Sequence, residues 1–307
     1  MLKKYQIRDD ALIESDTAEA NILAYVTPDE ADKKHLINDL QIDEHTLDSA
    51  LDPNELSRIE FDANHIAIII KRPKRYCSAD NFVLKISSIG LFLFPDKLFI
   101  VTKDENNILE ERPLHKVSSI KDLLLKVVHR CVKHFEEHLR VINMISDELE
   151  QKINKSMENR HLYHLFSLEK SLVYYLYAIH SNNKVIDKLI ANAAKCGMGP
   201  DEIERLDDIH IENNQCYEQA NTYSQVLSGL MDARVSIVNN NLNISMKKLT
   251  YVMLAMMAPT LVISVFSMNV KLPLDQDHSA FSFWVIMILS LLTVIVVYFY
   301  AKRERKN

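Results

Sequence analysis

The residues with the most suggestive chemistry form one stripe near the C-terminus. Steps of three and four residues from Asp232 meet only small, polar or thioether side chains as far as Ser267, and such steps return to the same face of an α-helix. The stripe comprises Asp232, Ser236, Asn239, Asn243, Met246, Thr250, Met253, Met257, Thr260, Ser264 and Ser267. Polar side chains inside a bilayer usually face a partner helix or water. The spacing alone therefore leaves two interpretations open, contact between helices and the wall of a water-filled path.

A second pattern would suit metal chemistry. His134-Phe135-Glu136-Glu137-His138 matches the HxxEH form of inverted zinc proteases, in which two histidines one helical turn apart bind the metal. The surrounding segment is dense in Lys, Glu and His, and no third ligand can be assigned. We therefore expect a chance spacing, because a motif without its structural context is only a hypothesis. The same holds for His161 and His164.

Two apolar segments must position the C-terminal part of the stripe. Residues 281–300 hold about 20 residues without a formal charge, as a membrane span requires. Residues 250–266 are shorter, and they can span if their helix continues unbroken from the cytosolic side. Lys247 and Lys248 precede the first segment, and a basic tail of Lys302, Arg303, Arg305 and Lys306 follows the second. By the positive-inside rule both termini are cytosolic; the alternative is a pair of buried core helices.

A long helix leads into the first span. Between Asp201 and Pro259 the sequence contains no proline and a single glycine, Gly229. One helix of about 60 residues would extend roughly 90 Å, which is too long for it to end inside a soluble domain. Asp201, with Glu204 three residues later, is the expected N-cap.

The N-terminal part predicts an α/β domain followed by a helical hairpin. Short apolar or alternating runs predict strands at 22–26, 66–70, 86–94 and 97–102, and residues 29–39 and 43–51 predict short helices between them. Helical spacing from about 119 to 194 predicts two long helices joined near 154–159.

Composition excludes several classes of function. The formal net charge of −6 and the lack of a basic patch with interleaved aromatic residues argue against a nucleic-acid partner. Only four glycines occur, so no glycine-rich phosphate loop is encoded. The cysteines are far apart and form no CxxC pair, which argues against a disulfide framework and a thiolate zinc site: Cys77, Cys131, Cys196 and Cys216. The N-terminus has no apolar region typical of a cleaved secretory signal.

The end of the first span favours the water-filled path. The segment Phe266-Ser267-Met268-Asn269-Val270 lies between the two C-terminal spans, and Asn243-Ile244-Ser245-Met246-Lys247-Lys248-Leu249-Thr250 precedes it. Together with the basic tail, this arrangement resembles the CorA family of magnesium channels, whose signature is Tyr-Gly-Met-Asn. The strong resemblance covers residues 206–307, whereas the N-terminal half agrees only in architecture. The resemblance implies a funnel-shaped homo-oligomer of five subunits.

The resemblance also implies roles for residues of the pore. Asn269, beside Met268, lies at the outer mouth and helps to hold a hydrated ion, and Asn243 forms a polar ring. Hydrophobic constrictions are expected at Met246, Leu249 and Met257, where dewetting can close a pore. Mg²⁺ gives up its waters reluctantly, so an amide oxygen that accepts hydrogen bonds from those waters suits it.

Three carboxylates are implied outside the membrane. Asp232 matches an acidic residue at the cytosolic entrance, and Asp208 matches a carboxylate that binds a regulatory ion between subunits. Asp80 is our candidate for its partner in the N-terminal domain. Loss of that ion would leave like charges close together and weaken the closed packing.

The sequence departs from the family pattern at three positions. Ser267 replaces the glycine of the signature, and serine tolerates a positive φ poorly. The proline of the first span appears one position later, as Pro259, and Lys271 lies just beyond Asn269. Altered selectivity or loss of conduction is therefore an alternative to ordinary activity.

We predict a Mg²⁺ influx channel of the cell membrane, gated by Mg²⁺ between cytosolic domains, with lipid and further copies of itself as partners. It is not expected to be an enzyme or to bind nucleic acid or a small-molecule substrate. The alternatives are a Zn²⁺, Co²⁺ or Ni²⁺ transporter of the same architecture and a non-conducting membrane-tethered scaffold, against which the polar stripe counts. The predicted boundaries are 1–118 for the α/β domain, 119–200 for the hairpin, 201–249 for the stalk, 250–268 and 281–301 for the spans, 269–280 for the loop between them and 302–307 for the tail.

Overall fold

A computed structural model of the chain describes residues 1–15, 20–74, 83–104, 108–109, 116–155, 159–268 and 279–304. The chain forms two compact units, Met1–Met231 and Asp232–Asn307. Asp80 and Asn269, two of the predicted site residues, lie outside the described residues.

The first unit is built on a seven-stranded sheet. Its order along the sheet is β2-β1-β3-β7-β6-β5-β4, and its strands are β1 (Leu2–Arg8), β2 (Ala11–Glu14), β3 (Ile22–Val26), β4 (Arg58–Phe61), β5 (Ile66–Pro73), β6 (Ile86–Leu93) and β7 (Leu98–Thr102). β3 and β7 are parallel, with Ile22 opposite Leu98 and Val26 opposite Thr102. The other neighbouring strands are antiparallel. The four predicted strands are confirmed, and β1, β2 and β4 are additional.

Helices cover both faces of the sheet, which explains why β5, β6 and β7 are apolar along nearly their whole length. One face packs on α1 (Glu30–Asn38) and α2 (Glu44–Leu51) through side chains that include Leu36, Leu47 and Phe92. The other face packs on α3 (Ile120–Lys155) and α4 (Asn159–Ala191). The helix that follows β3 lies on the first face and the helix that follows β7 lies on the second, so the chain leaves the two parallel strands toward opposite faces of the sheet.

Close contact fixes α2 on the sheet at Gly90. A Cβ atom on this residue of β6 would lie 2.6 Å from the Cβ atom of Ala50 in α2 and 3.0 Å from the ring of Phe92. Carbon atoms do not approach so closely without displacement. Glycine is therefore required here by the packing distance between helix and strand.

A buried amide fixes α4 on the sheet. The Asn182 Oδ1 atom accepts a hydrogen bond of 2.8 Å from the backbone N–H of Lys71, and its Nδ2 group donates one of 2.9 Å to the carbonyl of the same residue. β4 pairs with β5 only as far as Ile69, so the side chain continues the pairing beyond the end of β4. The Ser57 hydroxyl donates to the same Oδ1 atom at 2.7 Å. Since Asn182 is fully buried, these contacts satisfy groups that water cannot reach.

α5 (Pro200–Phe266) is one helix of 67 residues, and α6 (Ser279–Glu304) follows it. The predicted combination of an α/β domain, a long helix and two C-terminal apolar helices is confirmed. The expected N-cap is wrong by position, because α5 begins at Pro200 and Asp201 lies inside its first turn. Proline suits this first position because its φ is already helical. The Glu202 carboxylate accepts the Gly199 N–H at 2.9 Å instead.

Candidate functional site

The second unit contains the two helices that could cross a membrane. The C-terminal part of α5 and residues Phe281–Arg303 of α6 are long and apolar enough to do so. Aromatic side chains stand near both ends of α6, at Trp284 and at Tyr298 and Tyr300, and all three are exposed. Tyr and Trp concentrate where a bilayer meets water, so their positions agree with a span between them.

Each of these helices has one covered face. The partly covered positions of α5 in this unit follow helical spacing, and they include Tyr251, Ala255, Pro259, Val262 and Phe266. On α6 they include Val285, Ser290, Thr293, Val294 and Val297. Because the unit consists of these two segments, we infer that the covered faces of α5 and α6 face each other.

The polar stripe lies on the opposite side of α5. At 100° per residue the stripe positions from Thr250 to Ser267 fall roughly half a turn away from the covered face. All predicted stripe residues are exposed in the single chain, as are Leu249 and Met268: Asp232, Ser236, Asn239, Asn243, Met246, Thr250, Met253, Met257, Thr260, Ser264 and Ser267. The structure therefore aligns them along one helix face that the chain's own second span leaves uncovered.

Several hydroxyl groups of this stripe donate their protons to carbonyls of their own helix. Thr250 donates to the carbonyl of Met246 at 2.9 Å, and Thr260 donates to that of Met256 at 2.7 Å. Ser267 donates to the carbonyl of Ser264 at 3.0 Å. A hydroxyl that donates back to its helix still has lone pairs to accept with. The stripe consequently presents hydrogen-bond acceptors outward, and acceptors suit water molecules bound to a cation.

Asp208 lies in a mixed-charge cavity of the first unit, far along the chain from the stripe. The cavity has a volume of about 760 Å³, and its charged lining includes Lys116, Lys126, His129, Arg205, Asp208 and Glu212. Two of the cations are already engaged, because Lys126 and Arg205 both contact the Asp122 carboxylate. Hydrogen bonds from Lys126 and Ser118 and the charge of Arg205 outweigh burial and lower the pKa of Asp122.

The Asp208 carboxylate itself has no ion-pair or side-chain hydrogen-bond partner among the described residues. Glu212, one turn later, contacts His129 at 2.7 Å and Lys133 at 3.3 Å. Mg²⁺ commonly binds through one or two carboxylates and keeps several waters. A free carboxylate fits such an ion, although the nearby lysine and arginine side chains weaken its attraction for any cation. Sequence reasoning did not anticipate this basic surrounding.

The HxxEH histidines take part in packing. His134 and His138 lie edge to face with ring centroids 4.7 Å apart, and His138 Nδ1 lies 2.8 Å from the Tyr175 hydroxyl. Tyr175 is buried, and burial raises the pKa of its hydroxyl. Over the described residues, no group of three or more His, Cys, Asp or Glu side chains is placed to hold a metal ion.

Comparison with known proteins decides the family. The model of the CorA-like Mg²⁺ transporter protein family matches residues 18–303, nearly the whole chain. The chain belongs to the CorA family. It is thus a divalent-cation transporter and a membrane protein, and it is not an enzyme.

Relatives and solved structures agree with this assignment. The chain is 25% identical over 280 residues to the cobalt/magnesium transport protein CorA of Methanocaldococcus jannaschii, covering 87% of this chain and 83% of that protein. The complete structure of the CorA magnesium transporter from the same organism superposes with a TM-score of 0.79 at 21% identity, covering 97% and 96% of the two chains. The cytoplasmic domain of ZntB from Vibrio parahaemolyticus gives a TM-score of 0.62 at 14% identity, covering 78% and 98%. At these identities the structural likeness establishes the fold.

Proposed function

We propose that several copies of this chain form a Mg²⁺ channel in the cell membrane, with the polar stripes of α5 facing a common axis. The observation that carries this proposal is the position of the stripe, on the side of α5 opposite to α6. In a bilayer, a line of exposed Thr, Ser and Asn side chains is costly against lipid. Copies of the chain arranged around an axis would turn these side chains toward water. Five copies is the number that the family resemblance implies.

The stripe chemistry supports transport of a hydrated ion. Acceptor oxygens at Thr250, Thr260 and Ser264 can bind the waters around Mg²⁺ without removing them. Met246, Leu249 and Met257 would form apolar collars that close the path by dewetting. Asn243 would add a polar ring, and Asn269 and Met268 would complete the outer mouth. The absence of thiolate and imidazole groups from the stripe favours an ion that prefers oxygen ligands.

Asp208 is the proposed point of regulation. Its free carboxylate would share a Mg²⁺ ion with a neighbouring copy, for which Asp80 remains our candidate partner, and loss of the ion would weaken the closed packing. The cations of the same cavity predict weak binding, so regulation would respond to high rather than trace concentrations of Mg²⁺.

The orientation follows from charge. Lys247 and Lys248 precede the first span, and Lys302 and Arg303 follow the second. This distribution supports cytosolic N- and C-termini by the positive-inside rule. With this orientation the membrane potential drives a divalent cation inward.

The second candidate is a Zn²⁺, Co²⁺ or Ni²⁺ transporter of the same architecture. It is favoured by the fold shared with the ZntB cytoplasmic domain and by the name of the cobalt/magnesium relative. The third is a non-conducting membrane-tethered scaffold, which the substitution of glycine by Ser267 keeps open.

Uptake into proteoliposomes tests these candidates together. The purified protein is reconstituted, and Mg²⁺, Zn²⁺, Co²⁺ and Ni²⁺ entry is measured with trapped indicator dyes, with Asn269→Ala as the pore variant. Mg²⁺ uptake that Asn269→Ala abolishes supports the channel, and the relative rates rank the ions. Absence of flux for every ion, with no recovery in Ser267→Gly, would leave the scaffold as the function.

A further inference from the structure

A second cavity lies in the α/β domain, at the carboxyl ends of the two parallel strands. Its volume is about 630 Å³, within the range of sites for small molecules. Thr27 and Pro28 follow β3, and Lys103 follows β7; the remaining wall is formed by α1, α2 and the turn after α2. None of these residues belongs to the proposed ion path or to the cavity around Asp208.

The position of this cavity is itself informative. β3 and β7 are adjacent and parallel, and the helices that follow them cover opposite faces of the sheet. In open, mostly parallel sheets, ligands bind in the crevice at the carboxyl ends of neighbouring strands whose connections lie on opposite faces, and β3 and β7 repeat this arrangement as a parallel pair. Thr27 stands at this crevice with a φ of 46°, a left-handed conformation that is costly for a β-branched residue. Its N–H is held by the carbonyl of Thr102 at 2.8 Å.

Two lysines supply positive charge to the cavity. Lys103 is exposed and has no ion-pair partner among the described residues. Lys33 contacts Glu30 at 3.1 Å, and its pKa is raised by this hydrogen bond and further by the charges of Glu30 and Asp48. The N-terminus of α1 is already capped by Asp29. An anion in this cavity would therefore pair with the lysines and not with the helix amides.

Carboxylates also line the cavity. Asp48, Asp52 and Glu55 line it, from α2 and the turn that follows. Within the described residues no such group is arranged to hold a metal ion by itself. Mg²⁺ is usually held by one or two carboxylates together with phosphate oxygens of a ligand. A cavity lined by both lysines and carboxylates matches that shared coordination.

The wall that carries these carboxylates is held in place by hydrogen bonds from a buried lysine. The buried ammonium group of Lys71 donates to the carbonyls of Asp52 and Pro53, at 3.0 and 3.2 Å, and to the Ser88 hydroxyl at 2.5 Å. Two of these hydrogen bonds hold the turn after α2, and the third joins Lys71 to β6, whose Ser88 hydroxyl itself donates to the Asp52 carbonyl at 2.6 Å. The cavity is pre-formed, which lowers the entropic cost of binding.

We propose that this cavity binds a phosphorylated small molecule of mononucleotide size together with Mg²⁺. Lys103 and Lys33 would contact the phosphate oxygens, and Asp48 and Asp52 would hold the Mg²⁺ ion through its waters. Pro28, Leu51 and Pro53 offer apolar surface for the rest of the molecule. Binding here does not depend on ion conduction, so the two proposals can fail separately.

The test is isothermal titration calorimetry of the full-length protein in detergent. Four probes are compared: ATP with Mg²⁺, pyrophosphate with Mg²⁺, Mg²⁺ alone, and ATP with a chelator. Lys103→Ala and Asp48→Asn are the cavity variants. Lys97→Ala and Asp96→Asn are matched controls, because both residues are exposed in the turn before β7, at the end of this strand opposite to the cavity.

We expect ATP with Mg²⁺ to bind, and each cavity variant to weaken it about tenfold or more, while the controls bind as the wild type does. Equal binding of pyrophosphate with Mg²⁺ would support recognition of the phosphate groups and their ion. It would also show that the nucleoside adds nothing to the affinity. The proposal is overturned if Mg²⁺ alone gives the same heat as ATP with Mg²⁺, if neither phosphate probe binds, or if binding survives in both cavity variants. Thermal unfolding without ligand verifies that the variants are folded.

Discussion

The hydroxyl group of Thr260 donates a hydrogen bond of 2.7 Å to the carbonyl oxygen of Met256, one turn earlier in α5. The proton is used inside the helix, and the oxygen faces away from α6 as an acceptor. Thr260→Val replaces that acceptor by a methyl group of similar size. Every copy of the oligomer carries the change, and loss of even one hydrogen bond of about 1 kcal/mol to the hydrated ion should slow Mg²⁺ influx about fivefold.

Thr293→Val is the matched control for this change. The Thr293 hydroxyl donates to the carbonyl of Ser290 at 2.7 Å, but it lies on the face of α6 that packs against α5. Influx into proteoliposomes should remain at the wild-type rate. Equal influx rates for Thr260→Val and the wild type would show that the Thr260 hydroxyl does not contact the hydrated ion.

Regulation is expected to depend on the charge of Asp208. Asp208→Asn keeps the size of the side chain and removes the charge that attracts the ion. The Mg²⁺ concentration that half-inhibits influx should therefore rise severalfold. Asp207→Asn changes an exposed neighbour that does not line the cavity, and it should leave the inhibition curve in place. An Asp208→Asn curve that coincides with the wild-type curve contradicts the proposed regulation.

We expect the packing of α4 on the sheet to depend on the hydrogen bonds of Asn182. Asn182→Ala leaves the buried N–H and carbonyl of Lys71 without these partners, which should reduce the free energy of unfolding by about 2–4 kcal/mol. Urea denaturation followed by circular dichroism measures the loss. Asn64→Ala, which removes an exposed side-chain contact to Gln41, should change it by less than about 0.5 kcal/mol. A similar small change in Asn182→Ala would show that water replaces the amide.

Because of Lys71, we expect the free energy of unfolding to depend on pH in the alkaline range. Burial lowers its pKa from 10.5 to about 8, against the charges of Asp52 and Glu55, which raise it. Between pH 8 and 10.5 the unfolded chain therefore binds more protons at this group than the folded chain does, and stability rises with pH. Relative to Lys71→Met, the wild type should gain up to about 3 kcal/mol over this range. A stability difference that stays constant from pH 7 to pH 10 would contradict the lowered pKa.

The elements that the sequence predicts are those with one dominant signal. The continuous apolar runs of β5, β6 and β7 predict buried strands, and the scarcity of glycine and proline predicts α5. β1, β2 and β4 escape notice because they are short or carry charged residues, as in Leu2–Arg8 and Arg58–Phe61. Their pairing with neighbouring strands supplies the stability that their composition does not indicate.

The candidate sites also differ in whether a local sequence pattern reveals them. The stripe is visible in the sequence because helical spacing is local. The cavity around Asp208 and the crevice beside Lys103 combine residues from distant segments, and no local pattern brings Lys116 near Asp208 or Thr27 near Lys103. The contact between Asn182 and Lys71 joins residues 111 positions apart. Such placements follow only from the complete fold.

The most direct test of the channel is chemical access to the stripe during transport. Ser264→Cys places a thiol on the stripe, and Ile263→Cys places one about a quarter turn away, also exposed. Cys77 is first replaced by serine. The other native cysteines are buried, and burial raises the pKa of Cys196, and that of Cys216 to about 12, so they should not react.

Mg²⁺ influx is then measured before and after addition of a positively charged, water-soluble methanethiosulfonate. If the stripe lines a water-filled path, the reagent blocks influx through Ser264→Cys and leaves influx through Ile263→Cys unchanged. Block at Ile263→Cys with no effect at Ser264→Cys would contradict a water-filled path along the stripe.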